Sequence, residues 1–321
     1  MYSCPIRGRL ASPSPKIWGI TETVEGFVGG EPVLRGYGLI LLAAFLWSTL
    51  GLFYNRLLHH HDLTTTTIAF FRAAVASLTL FVGLSGRAGR WPAISRREVP
   101  FYALFGAFGV AAFFLVYIRA IDRVGMGVAA VLLYTAPAWV ALIAALFLGE
   151  PLTRRKGVAL LLAFGGAALV ARIYHLGSVR LDLVGILFGL GSGLTYGLYT
   201  IFSKVGVRQR SSWEVLAYAL GFGALFMLPW QSAESLRRAV TTPGTLLWLL
   251  GLGWLPTLGA GVAFNQGLKT VPAGGASIVA NLEPALAALW GALFLHERLE
   301  PFQVLGGAMI LGAVLILQRE G

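Results

Sequence analysis

The chain is predicted to be an all-α integral membrane protein of ten transmembrane helices, arranged as two inverted five-helix repeats. Three observations predict it. Apolar residues make up 57% of the sequence and charged residues only 12%, far from the balance of a water-soluble domain. The charge is segregated, with short Arg-rich connectors between long apolar runs. One such run occurs twice: GVAAVLLYTAPAWVALIAALFLGE from Gly127 to Glu150, and GGASIVANLEPALAALWGALFLHE from Gly274 to Glu297. Laid on each other without a gap, the runs align Pro137 with Pro284 and Glu150 with Glu297. Gly127, Ala129, Ala138, Ala141, Leu142 and the ALFL segment coincide with their counterparts as well. Hydrophobic helices share Leu and Ala by chance but seldom share Pro and Glu in register, so the chain reads as an internal duplication.

Residues 1–35 mix Pro, Gly, Ser and charge without helical periodicity and read as a disordered cytoplasmic tail. The apolar patch from Ile17 to Val28 is broken by Glu22 and Glu25 and lacks the core and cleavage site of a signal peptide. Ten apolar stretches follow, at 37–55, 66–85, 99–120, 125–148 and 157–173, then 182–204, 213–231, 245–268, 273–295 and 301–318. Each approaches the length of about 20 residues that a bilayer demands. Their connectors are short, so consecutive spans should run antiparallel. The domain reading is therefore a tail over 1–35, a first repeat over 36–174 and a second over 181–318.

With the N-terminus inside, sixteen of the 25 Lys and Arg residues fall on the inner side and eight on the outer, Arg72 lying within a span. That bias places both termini in the cytoplasm, in the cell membrane. Five spans per repeat is an odd number, so the second copy must enter from the opposite side. Two similar halves of opposite orientation give two states of similar energy, one open to each face, which is how several secondary transporters are built.

The residues carry a family likeness. It rests on Trp47-Ser48 in the first span, Arg72 in the second, Tyr117 to Ala120 closing the third and Tyr134-Thr135-Ala136-Pro137 in the fourth. The second half adds Tyr196 to Lys204, Phe264 to Gly267 and Leu282-Glu283-Pro284. With the proline-centred helices ending in Leu-Gly-Glu and Leu-His-Glu, this resembles the EamA family of the drug/metabolite transporter superfamily, over about residues 36 to 318. The resemblance implies export or uptake of small metabolites, often amino acids or related compounds, through a central cavity. Arg119 and Gln266 depart from it, being polar where a lipid-facing helix end would be apolar. The second half also has no counterpart of Arg72, its matching region reading Leu216 to Phe222.

Glu283 is the sharpest single signal. It lies near the centre of the ninth run, where an ionised carboxylate is costly unless it faces a cavity or a partner. It reads as a proton-coupling or amine-binding group, against a neutral Glu hydrogen-bonded or paired within the bundle. Trp47, Ser48, Tyr117, Tyr134, Tyr196, Tyr199, Asn265 and Asn281 complete the candidate substrate-binding set, since aromatic walls with a few polar hooks suit small amphipathic solutes. The alternative for each aromatic is an interfacial belt. Pro137 and Pro284 deprive the carbonyls of Leu133 and Ala280 of their usual partners, so they read as hinges or as plain kinks. Glu150 and Glu297 end spans and are expected to face the N-terminus of the next helix. Arg72 is expected to pair with a carboxylate or a substrate anion, or to form an internal ion pair.

The expected function is a secondary transporter moving a small metabolite, without cofactor or metal and without nucleic acid. Its partners are the solute and the bilayer, and a homodimer is compatible with the chain. Cys4 alone excludes an intrachain disulfide framework. His59, His60 and His61 read as a solvated connector. No G-x-x-x-x-G-K-[ST] loop suggests a pump. An integral-membrane enzyme would need an acidic or histidine cluster, for which the histidine tract with Asp62 is the sole candidate. A channel would need a ring of like charges, and a scaffold without transport is the remaining alternative.

Overall fold

The computed structural model describes residues 30–89, 92–175, 182–242, 244–294 and 298–318. Every regular element among them is helical. The first run is split into α1 (Gly30–Ser48) and α2 (Leu50–His61). Helix α3 (Thr65–Ala88) starts at Thr64, whose hydroxyl accepts the amide of Thr67. Next come α4 (Val99–Leu104), a π-helical stretch (Phe105–Ala111) and α5 (Ala112–Leu133). After them come α6 (Ala136–Phe147) and α7 (Arg154–Val170).

The second half opens with α8 (Leu183–Gly206) and α9 (Ser212–Met227), the latter begun by a capping box between Ser211 and Glu214. A short α10 (Ala233–Thr241) precedes α11 (Thr245–Leu252), a second π-helical stretch (Gly253–Gly259) and α12 (Ala260–Gly267). Helices α13 (Ala273–Ala280), α14 (Glu283–Phe294) and α15 (Pro301–Gln318) close the described chain. Seven helical stretches among the described residues are long and apolar enough to cross a bilayer, and Ala136–Phe147 and Pro301–Leu317 are shorter apolar helices. This is a multi-pass helical membrane protein.

The duplication reaches the packing. The register that lays Pro137 on Pro284 also lays the first π stretch on the second and the break at Tyr134-Thr135 on the break at Asn281-Leu282. Gly106 packs directly on Phe222 and Gly223 of α9, and its mate Gly253 packs on Val75 and Ala76 of α3, which are the mates of those two residues. Helix α3 lies against α9, and α7 against α15. In the second contact Gly166 and Gly306 meet backbone to backbone, and a Cβ on either would stand 2.5 Å from the other's carbonyl oxygen. Only residues without side chains allow that approach.

Several expectations need correcting. Helix starts at Gly30, so residues 30 to 35 of the expected tail are helical, while 1–29 lie outside the described residues. The histidine tract is the last turn of α2 rather than a connector, and His61 Nδ1 lies 2.8 Å from the Thr245 hydroxyl. The third and fourth spans run into each other, and only Gly125 turns the chain between them. Its φ of +80° is open to glycine at little cost and strained for other residues. The ninth run is two helices rather than one, because Pro284 supplies no amide to the carbonyl of Ala280. Helix α10, between the seventh and eighth runs, was not anticipated.

Candidate functional site

A cavity of about 400 Å³ lies between the halves. It is lined by residues of α1, α2, α3, α5, α8, α9 and both π stretches, by Tyr134 after α5, and by Glu283 at the first turn of α14. Aromatic rings back part of its wall: Trp47 lies 5.0 Å from Phe264, and Tyr199 lies 6.2 Å from Phe264 and, edge-on, 5.5 Å from Phe105. Leu58, Thr65, Ile121 and Met126 also line it, near the α2–α3 connector and Gly125.

Two charged side chains face this space. The Tyr196 hydroxyl donates to Glu283 Oε2 at 3.4 Å, and Tyr196 is itself held by the Phe113 ring, 5.3 Å away. Across the cavity, Arg72 Nε donates to Thr257 Oγ1 at 3.1 Å, and its guanidinium lies 5.1 Å over the Phe114 ring. Backbone chemistry explains the threonine. Pro256 offers no amide to the carbonyl of Leu252, where the chain takes π-helical register, and the Thr257 hydroxyl also donates to that carbonyl, at 2.8 Å. Its lone pairs are then turned to Arg72. No salt bridge joins Arg72 to a carboxylate among the described residues. An internal ion pair, one of the alternatives for Arg72, is therefore not formed: Glu283 and Arg72 both line one chamber, and each is hydrogen-bonded to a neutral side chain.

Of the other candidate residues, Trp47, Tyr117, Tyr134, Tyr196 and Tyr199 line the cavity. Ser48, Asn265 and Asn281 do not. Ser48 is buried, donating to Phe45 O at 2.6 Å and accepting the Trp290 indole N–H at 2.8 Å, so it ties α1 to α14. Asn265 is buried in α12, with Nδ2 3.4 Å from Ser212 O. Asn281 lies buried at the α13–α14 break. Pro137 and Pro284 are both buried in the first turns of α6 and α14. Glu297 lies outside the described residues.

Glu150 faces a different helix from the one expected. The first turn of α7 is already capped by Thr153, whose hydroxyl accepts the Lys156 amide at 3.1 Å. Helix α13 begins after Pro272 with no side-chain cap of its own. Glu150 supplies one, accepting the amides of Ala273 at 2.6 Å and Gly274 at 3.0 Å. On the same face, Lys204 Nζ donates to the carbonyls of Leu268 and Val271, and Arg210 forms a bidentate pair with Glu98 at 2.6 and 2.9 Å. The Arg210 guanidinium holds the Glu98 carboxyl down to about 2, well below the usual carboxylate value.

The EamA-like transporter family model matches the chain twice, over residues 34–172 and 183–319. The chain belongs to that family. An uncharacterized transporter of Archaeoglobus fulgidus is 33% identical over 89% of this chain and 97% of its own length. A pseudopaline exporter of Pseudomonas aeruginosa is 28% identical over 88% and 96%, and a probable terminal-alkyne amino-acid exporter of Streptantibioticus cattleyicolor is 25% identical over 96% and 94%. A crystal structure with 17% identity shares the fold at a TM-score of 0.70, over 91% of this chain and 99% of that one. This EamA-like chain is a membrane transporter.

Sequence reasoning missed Tyr54, Phe113, Phe114 and Thr257 in the cavity wall and Trp290 behind Ser48. Tyr54 was within reach, since Trp47, Gly51, Tyr54 and Leu58 fall on one helical stripe. Thr257 was signalled by its place beside Pro256. Phe113 and Phe114 carry no distinguishing mark within an apolar run.

Proposed function

We propose that the chain is a secondary transporter working by alternating access, with ten transmembrane passes as two inverted five-helix repeats. The carrying observation is an asymmetry between helix pairs that the duplication makes equivalent. On one face α6 packs against α13. The equivalent pair on the opposite face, α5 beyond Gly125 and α14, is parted by the cavity, whose wall includes Met126, Leu133 and Tyr134 on one side and Glu283 on the other. A duplicated fold with one gate closed and its mate open is half of an alternating-access cycle. The charge bias of the connectors places the closed face in the cytoplasm, so this conformation is outward-open.

The solute follows from the chamber. A cation and an anion on opposite walls, between tyrosine and phenylalanine rings, suit a small zwitterion carrying an apolar group. Arg72 would take its carboxylate and Glu283 its ammonium. One relative above is named a probable amino-acid exporter, which agrees with an amino-acid solute. Glu283 also supplies a group whose proton exchange could be coupled to solute movement. The test is counterflow in proteoliposomes: vesicles preloaded with a mixture of unlabelled amino acids should accumulate a labelled one transiently and saturably. Flux without saturation or counterflow would argue for a channel, and no flux of any amino acid would remove the zwitterion assignment.

A further inference from the structure

We infer that Glu150 is the releasable latch of the closed gate: carried by the first half, it holds the N-terminus of α13 in the second, and it changes partner when the cavity turns to the other face. This rests on the transporter reading above.

The two hydrogen bonds cross the gate directly. Glu150 follows α6 by three residues and α13 is the helix α6 closes upon, so the carboxylate sits where the two gate helices meet. Its side chain is only 12% exposed. Opening this face separates α6 from α13 and must break both bonds. Neither side is then stranded. Lys156, in the first turn of α7, holds its Nζ 4.0 Å from Glu150 Oε2, a loose ion pair, while donating to the Pro151 carbonyl at 3.0 Å, so a small movement tightens a pair within the carboxylate's own half. The freed amides of Ala273 and Gly274 would meet water in the newly opened crevice. Gly149, at φ +70°, gives the segment a conformation that residues with side chains rarely adopt. Such an exchange of partners lets a charged group hold one state firmly without making the other prohibitive. A permanent staple would need no waiting cation.

The experiment uses full-length chain with Cys4→Ser and one reporter cysteine at a time, labelled in membranes by a hydrophilic thiol reagent. Ser277→Cys reports the closed face, since Ser277 is buried in α13. Leu58→Cys reports the open mouth. Losing two charge-assisted hydrogen bonds should move the two states toward equal population. Glu150→Ala should then speed labelling at 277 by about tenfold and slow it at 58 by about twofold. Glu150→Gln, whose amide oxygen can still accept from one amide, should fall between and covers a failure of the alanine variant to fold. Unchanged labelling at 277 would overturn the latch. Faster labelling at 277 with no slowing at 58 would make Glu150 a static staple, also overturning it. Both results leave the transporter reading to be judged by counterflow of the unaltered chain.

Discussion

At the residue scale, the chamber is lined by a carboxyl and a guanidinium, Glu283 and Arg72, with no salt bridge between them. Glu283 was visible in the sequence because a carboxylate in the middle of an apolar run has few reasons to be there. Its partner, Tyr196 rather than a cation, became visible only in the folded chain. Arg72 was visible for the same reason, yet Thr257 and Phe114 could be found only by folding the chain, since both belong to distant runs. Ser48 and Asn265 lie outside the cavity wall and bond to neighbouring helices, Ser48 accepting from Trp290 and Asn265 donating to Ser212 O. Two outcomes follow for the chamber. Arg72→Ala should weaken solute binding roughly 10- to 100-fold, the usual worth of one charge-assisted hydrogen bond, with little change for an analogue lacking the carboxylate. Glu283→Gln should weaken binding of the solute's ammonium and lose accumulation driven by a pH gradient, with exchange surviving only at high solute concentration. Competition binding and gradient-driven uptake in proteoliposomes measure these.

At the element scale, the proline-broken helices were the legible part and the connectors were not. Pro137 and Pro284 announced breaks, and both breaks appear at matching positions. The partner of Glu150 was misjudged because capping was assigned to the nearest helix in sequence. Thr153 already served that helix, and the uncapped α13 was nearer in space. The Arg210 pair makes a prediction on pH. The Glu98 carboxyl titrates lower in the folded chain than its ordinary 4.5, so the pair's stabilisation is present in full above that value and is lost as pH falls toward about 2. Thermal unfolding in detergent should show Glu98→Gln destabilised by about 1 kcal/mol at pH 7, the gap narrowing as pH is lowered below 4.5. The glycine crossing of α7 and α15 makes another. Gly166→Leu drives a side chain into the backbone of Gly306 and should cost on the order of 1–3 kcal/mol, seen as a lower unfolding temperature. Gly38→Leu, at an exposed site with nothing close by, should not.

At the scale of the whole molecule, the duplicated Pro and Glu already implied two halves. Equivalence down to Gly106 and Gly253, each seated on the other's counterpart surface, needed the folded chain. The sequence could not disclose which of the two equivalent helix pairs packs together, because the duplication makes both pairs alike. The difference lies in whether α6 meets α13 or the far part of α5 meets α14. All of this depends on the two copies being threaded through the bilayer in opposite senses. Single cysteines at equivalent connectors test it without knowledge of the solute: Arg96→Cys against Arg237→Cys, and Arg154→Cys against Arg298→Cys, each labelled by an impermeant thiol reagent in sealed right-side-out and inside-out vesicles. The account predicts that 96 and 154 react only from the cytoplasmic face and 237 and 298 only from the outer one. Reaction of both members of a pair from the same face would contradict it.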